Sequence, residues 1–157
     1  MTTQVPKSFD DLFPGRFVKA GNLGDRKHTV TIADVRHEDL EGERGAEQKV
    51  IVSFRESKRD LVLCKLNATA IAAMFGKSIP DWIGKRIVLY STNELMPMPV
   101  TRAERQAGKS QPDACIRIHG SPDLAADMPV QFKPARRRPL TMTMHATGKA
   151  PAEDMNP

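Results

Sequence analysis

The chain has 157 residues, 39% hydrophobic and 27% charged, with a net charge of +5 and a sequence pI near 9.4. This is one domain's worth of chain, and no apolar run approaches the ~20 residues of a membrane span. Cys64 and Cys115 show no CxxC or Cys/His spacing, which argues against a disulfide framework or a zinc site, and Met1 to Pro14 lacks the apolar core of a signal peptide. A cytoplasmic protein without cofactor or metal is expected.

Residues 1–12 read as a flexible lead, although Phe9, Leu12, Phe13 and Phe17 could dock on a surface. Asn22-Leu23-Gly24-Asp25 reads as a turn. Thr29–Val35 is β-branched and alternating, with Val30 and Ile32 on one face, and predicts a first strand. Glu38–Glu47 is acidic, holds Gly42 and Gly45, and reads as a solvated loop whose ligand order fits no calcium site. Lys49–Arg55 predicts a second strand with Val50, Val52 and Phe54 inward, Ser57–Asp60 a polar turn, and Leu61–Lys65 a short third strand.

Asn67–Gly76 carries the clearest local pattern. Asn67 suits an N-cap, four alanines favour helix, Ile71, Met74 and Phe75 fall on one face, and Gly76 suits a left-handed terminus. So short a helix needs a sheet to pack on. Pro80–Lys85 is a turn and Arg86–Tyr90 a fourth strand. Ser91–Asp113 is a long connection broken at Met96-Pro97-Met98-Pro99, with one helical turn at Thr101–Gln106. Ala114–His119 predicts a fifth strand with Ile116 and Ile118 inward. Beyond Gly120, with Pro122, Pro129, Pro134, Pro139, Pro151 and Pro157, residues 121–157 read as a disordered proline-rich tail, in which Met128–Lys133 could transiently add an edge strand.

Three strands, a helix and two strands match the five-stranded, all-β OB barrel with its helix between strands three and four. The barrel domain is expected over residues 13–120. The tail sets Lys133, Arg136, Arg137, Arg138 and Lys149 against Asp123, Asp127, Glu153 and Asp154, so most of the net charge belongs to the barrel.

Phe13–Leu23 followed by Val30-Thr31-Ile32, then Leu63–Ile71, Asp81–Tyr90 and Ala114–Ile118, resemble a family of small phage- and prophage-encoded proteins. The resemblance spans residues 13 to about 119 and departs at the longer, proline-interrupted segment 93–113. It implies an OB-like fold and single-stranded DNA binding in phage replication or recombination. It carries over no catalytic residue.

No enzyme constellation stands out. His28, His37, His119 and His145 are scattered without ligand spacing. Gly21–Lys27 lacks phosphate-loop spacing and precedes a strand. A nucleic-acid surface is the sharper expectation. An OB groove would display Lys49, Arg55, Lys58, Arg59 and Lys65, flanked by Lys85 and Arg86 and by Arg102, Arg105 and Lys109 of the long connection. Tyr90 is the one strand aromatic whose alternation turns it outward. Aromatic content is only 5%, which leaves few stacking platforms, and the acidic segment after the first strand would repel DNA. Arg136-Arg137-Arg138 could be a nucleic-acid arm or a solubilising tail. The expected partner is single-stranded DNA, with RNA as the other polymer and a replication or recombination protein as companion. The competing function is an OB-like protein-interaction module that binds no nucleic acid.

Overall fold

The computed structural model describes residues 16–42, 45–97, 99–134 and 138–149. Its spine is β1 (His28–Gly42), 15 residues long. The first turn of the strand, His28–Thr31, pairs antiparallel with β4 (Arg86–Thr92), and from Ile32 onward it pairs with β2 (Gly45–Phe54). A register shift between Ile32 and Asp34 marks the change of partner. Such bulges bend a strand and raise its twist, which lets one strand serve two neighbours.

The acidic segment expected as a loop is the far half of this ribbon. Glu38, Asp39 and Leu40 pair with Lys49, Gln48 and Glu47, and the ladder runs to Gly42 opposite Gly45. Residues Gly45–Lys49 are all exposed, so the ribbon has no buried face to impose an alternating pattern. Backbone pairing extends it regardless.

β3 (Leu61–Leu63) pairs with β2, and α1 (Ala20–Leu23) is a single turn before β1. α2 (Lys65–Phe75) begins three residues before the start expected from an Asn67 cap, with Cys64 as its N-cap. Asn67 lies inside the helix, 3% exposed, and donates from Nδ2 to the Ile116 carbonyl at 3.0 Å. Its polarity serves a tertiary contact, not a cap. Gly76 ends the helix at φ +96°, donating to Ala72, and its carbonyl accepts from Trp82 Nε1 at 2.7 Å. A residue with a Cβ is strained at that φ. Trp82, 4% exposed, closes a short 3-10 helix over Ile79–Trp82.

β4 pairs with β5 (Cys115–Ser121), and between them α3 (Arg102–Gln106) is capped reciprocally by Thr101 and Glu104. The chain then adds two strands. β6 (Met128–Phe132) and β7 (Leu140–Ala146) pair antiparallel, and β7 joins β5 in parallel through Gly120↔His145 and Ser121↔Ala146.

Two expectations are thereby corrected. The sheet is open and has seven strands, in the order β3-β2-β1-β4-β5-β7-β6, where a closed five-stranded barrel was expected. β3 pairs with β2 alone and forms one end of the sheet. The seam between β3 and β5 is spanned by Asn67 to Ile116 and by Arg117 Nη1 to Cys64 Sγ at 3.8 Å. Arg16–Val18 runs beside the entrance to β3, pairing with Asp60.

The segment 121–157 is not a disordered tail over its described residues, 121–134 and 138–149. Val130, Phe132, Met142 and Met144 are buried in the same cluster as Ile32, Val52, Ile71, Ile87, Leu89 and Ile118. Pro129 is tolerated because β6 is the terminal strand of the sheet. The packed sheet, whose domain was expected to end at residue 120, therefore extends through β7. The expected lead over residues 1–12 and the pair Arg136-Arg137 lie outside the described residues. None of the helices described is long and apolar enough to cross a membrane.

Candidate nucleic-acid interface

The turn between β2 and β3 is fixed from below. Glu56 accepts from the Thr31 amide and from Thr31 Oγ1, each at 2.6 Å, and the hydroxyl contact is the main reason its carboxyl lies below the usual range. Arg55 donates its amide to Thr31 O, and Arg59 donates its amide to Ser57 Oγ. This anchoring leaves the side chains of Arg55, Lys58 and Arg59 on the turn. Arg55 Nη2 lies 3.9 Å from where a Cβ on Gly84 would stand, so the guanidinium reaches the turn that carries Lys85. Lys85 is itself held by backbone bonds to Ile32 and Trp82. Among the described residues, no carboxylate lies within ion-pair distance of these four cations.

A cleft of about 520 Å³ opens beside this turn, lined by Val30, Phe54 and Leu89 and by Lys27, Arg59, Ser57 and the acidic Glu56. Lys27, also without a carboxylate partner among the described residues, was missed by sequence reasoning. The basic run Arg26-Lys27-His28 ahead of the first strand was the available signal.

The other expected cations are placed differently. Arg86 is held by Asp123, which accepts from its amide at 2.8 Å and from its guanidinium at 2.6 and 3.1 Å. Lys109 bridges Glu104 at 2.7 Å and Asp113 at 2.8 Å, and it is the main cause holding the Glu104 carboxyl down to about 2. Lys49 pairs with Glu47 at 3.1 Å on the exposed ribbon. Arg102 and Arg105 are exposed on α3 and Lys65 opens α2; these three have no carboxylate in ion-pair distance among the described residues, and they stand away from the turn after β2.

The outer face of β1, β2 and β3, where the groove was expected, is neutralised internally. Arg36 donates to Asp34, Glu38, Ser53 and Asp60 at 2.7 to 3.1 Å, and Arg16 pairs with Glu38 and Asp60. Such a network leaves little positive field for a phosphate chain.

Tyr90 is half-buried on β4, and its hydroxyl is pushed up by burial. It meets His119 edge-on, with centroids 5.7 Å apart and planes at 79°. His119 in turn stacks on His145 at 4.4 Å and 22°. The histidines read as scattered are thus partly gathered. Nothing in the sequence signalled this pair, because it depends on β7 docking beside β5. Asp127 Oδ2 lies 3.5 Å from His145 Nδ1. Burial, then the neighbouring His145 and Lys27, hold His119 below its ordinary value.

Among the described residues, no group of three or more His, Cys, Asp or Glu is placed to hold a metal ion. Cys64 and Cys115 are unbonded thiols, both lining the seam between β3 and β5. The arrangement offers unpaired cations for phosphate contact and stacked rings for contact with a planar group. Searches against protein-family models, curated proteins and solved structures found no match to this chain.

Proposed function

We propose that this chain is a non-enzymatic module that binds single-stranded nucleic acid on an OB-type core. The OB reading is supported by strand adjacency. The run β3-β2-β1-β4-β5 with a helix between β3 and β4 is that of an OB barrel opened along its β3–β5 seam. The binding reading is carried by one observation. Lys27 and Arg59 line one cleft, and Arg55, Lys58 and Lys85 stand on the adjoining turns, all without a carboxylate in ion-pair distance among the described residues, while Lys49, Arg86 and Lys109 are neutralised. Cations left unpaired on ordered turns are available to phosphates. The setting, DNA replication or recombination in a phage or prophage, rests on the sequence resemblance alone.

Fluorescence anisotropy with oligo-dT and duplex DNA across a salt series tests the reading. Single-strand preference is expected. Each phosphate contact contributes about −0.7 to the slope of log affinity against log salt, so the full set of cations gives a slope of roughly −3.5. Charge reversal at Arg55, Lys58 and Arg59 together should abolish binding, whereas Lys109→Ala should leave it unchanged. Absence of binding at about 50 mM salt, where such contacts are strong, refutes the proposal and leaves the protein-interaction reading.

A further inference from the structure

β5 and β7 pair through two residue pairs at their C-terminal ends, Gly120↔His145 and Ser121↔Ala146. A groove of about 290 Å³ lies in the fork between the two strands. Tyr90 from β4, His119 from β5 and His145 from β7 all line it. The local backbone explains how three strands aim rings at one place. Val88 pairs with Gly120 but Leu89 pairs with Ile118, so His119 is the extra residue of a β-bulge. Bulges re-aim the side chain they carry, and here the imidazole meets His145 face to face. Asp127, which also accepts from the Ala146 amide at 2.7 Å, stands beside His145 Nδ1 and sets that ring's orientation.

We propose that this fork is a nucleobase-stacking site, in which a base extends the His119–His145 stack, braced edge-on by Tyr90, on the solvent side of His145. The proposal rests on the nucleic-acid reading and supplies the ring platform that the basic turn lacks. Three observations carry it. His145 is stacked on His119 on one side only among the aromatic contacts described, and 45% of its side chain is exposed. The groove sits at the low end of the sizes seen for ligand clefts, suited to a single ring system. Its rim is polar, with Thr92, Glu94 and Thr143 set to meet the donors and acceptors on a base edge.

Lys27 joins this site to the basic turn. One step beyond the His28↔Leu89 pair, it falls in register with Tyr90, and it shares the rim of the neighbouring cleft with Arg59. A strand whose phosphates cross Arg59 and Lys27 would therefore present its next base to the fork.

The test uses the whole chain with oligo-dT and an abasic strand of equal length. One stacked base is worth about 5- to 100-fold in affinity, so oligo-dT should bind tighter than the abasic strand by that margin. Tyr90→Ala and His145→Ala should erase the margin and leave the salt slope intact, while His145→Phe, which keeps a ring face, should retain it. Equal binding of the two strands, or a margin that survives both alanine variants, overturns the stacking site and leaves the phosphate grip standing. Failure of both strands to bind refutes the nucleic-acid reading. Titration with adenosine, which carries no phosphate, then decides the fork by itself. Shifts of the His119 and His145 ring protons support it, and their absence overturns it.

Discussion

Gly120 carries the join between the two parts of the sheet, and Gly120→Ala is the sharpest test of that join. A Cβ built on Gly120 would stand 2.0 Å from the His145 carbonyl oxygen, 2.5 Å from its nitrogen and 2.7 Å from its carbonyl carbon. All three atoms are backbone, so no rotamer change relieves the clash. Gly120 does not occupy the left-handed region, so alanine brings no dihedral strain and the effect is steric alone. Ordinary contact begins at 3.4 Å, so β7 must retreat by more than an ångström. Overpacking of this kind costs about 1–3 kcal/mol, and the two-pair ladder adds about 1 kcal/mol for each hydrogen bond lost. The expected destabilisation is about 2–4 kcal/mol, or about 1–2 M in the urea midpoint. Hydrogen exchange should localise the change, with Val130, Phe132, Met142 and Met144 amides losing protection before those of β1 and β4. Gly21→Ala, with nothing within 4 Å and no positive φ, is the matched control and should be neutral or stabilising. A Gly120→Ala protein with wild-type midpoint and wild-type exchange in β6 and β7 would refute the close approach of β5 and β7.

Three further outcomes are expected. Because His119 is held below its ordinary 6.5, mainly by burial, the unfolded chain binds its proton more readily, so that contribution to stability is complete above about pH 6.5 and is lost as the pH falls below it. Thermal melts between about pH 7.5 and 5.5 should show a steeper decline in the wild type than in His119→Gln, and identical slopes would sink the argument. Asn67→Ala should cost about 1–3 kcal/mol by leaving the Ile116 carbonyl without its partner across the β3–β5 seam, read as a lowered urea midpoint. Trp82→Phe keeps most of the ring but removes the bond to Gly76 and should lower stability by about 1–2 kcal/mol, whereas an unchanged melt would mean that this bond is not formed in solution.

Strands two to five were legible in the sequence because each is a short apolar, β-branched run that ends up buried, with Ile51 and Val52, Leu61 and Leu63, Ile87 to Leu89, and Ile118 all in the interior. The helix was legible from its alanines and Gly76, but its start was not, since Asn67 looks the same whether it caps a helix or bonds across a seam. The outer half of β1 escaped detection because its ribbon has no fully buried side chain from Glu38 to Glu41 and rests on backbone pairing and ion pairs. Val130/Phe132 and Met142/Met144 do alternate, yet the surrounding prolines argued for disorder. Only the place of β6 at the sheet edge makes Pro129 acceptable, and that place is a tertiary fact. The same holds for the candidate site. Arg55, Lys58 and Arg59 are neighbours in sequence and could be grouped by inspection, whereas which lysines and arginines find a carboxylate, and which histidines meet, depends on contacts between residues 26 to 37 positions apart, as in His119–His145 and Arg86–Asp123.

The change of partner within β1 also bears on how the chain acquires its structure during synthesis. The part of β1 from Ile32 onward finds its mate, β2, directly across a hairpin, but His28–Thr31 must wait for β4, more than fifty residues later. Until β4 emerges from the ribosome, that stretch is an unpaired edge of β-branched residues, a template for mispairing between nascent chains. Asp25, Arg26 and Lys27 stand immediately before it. Charges so placed act as gatekeepers that keep neighbouring copies apart, and neutralising all three should raise aggregation during refolding while leaving the folded sheet intact.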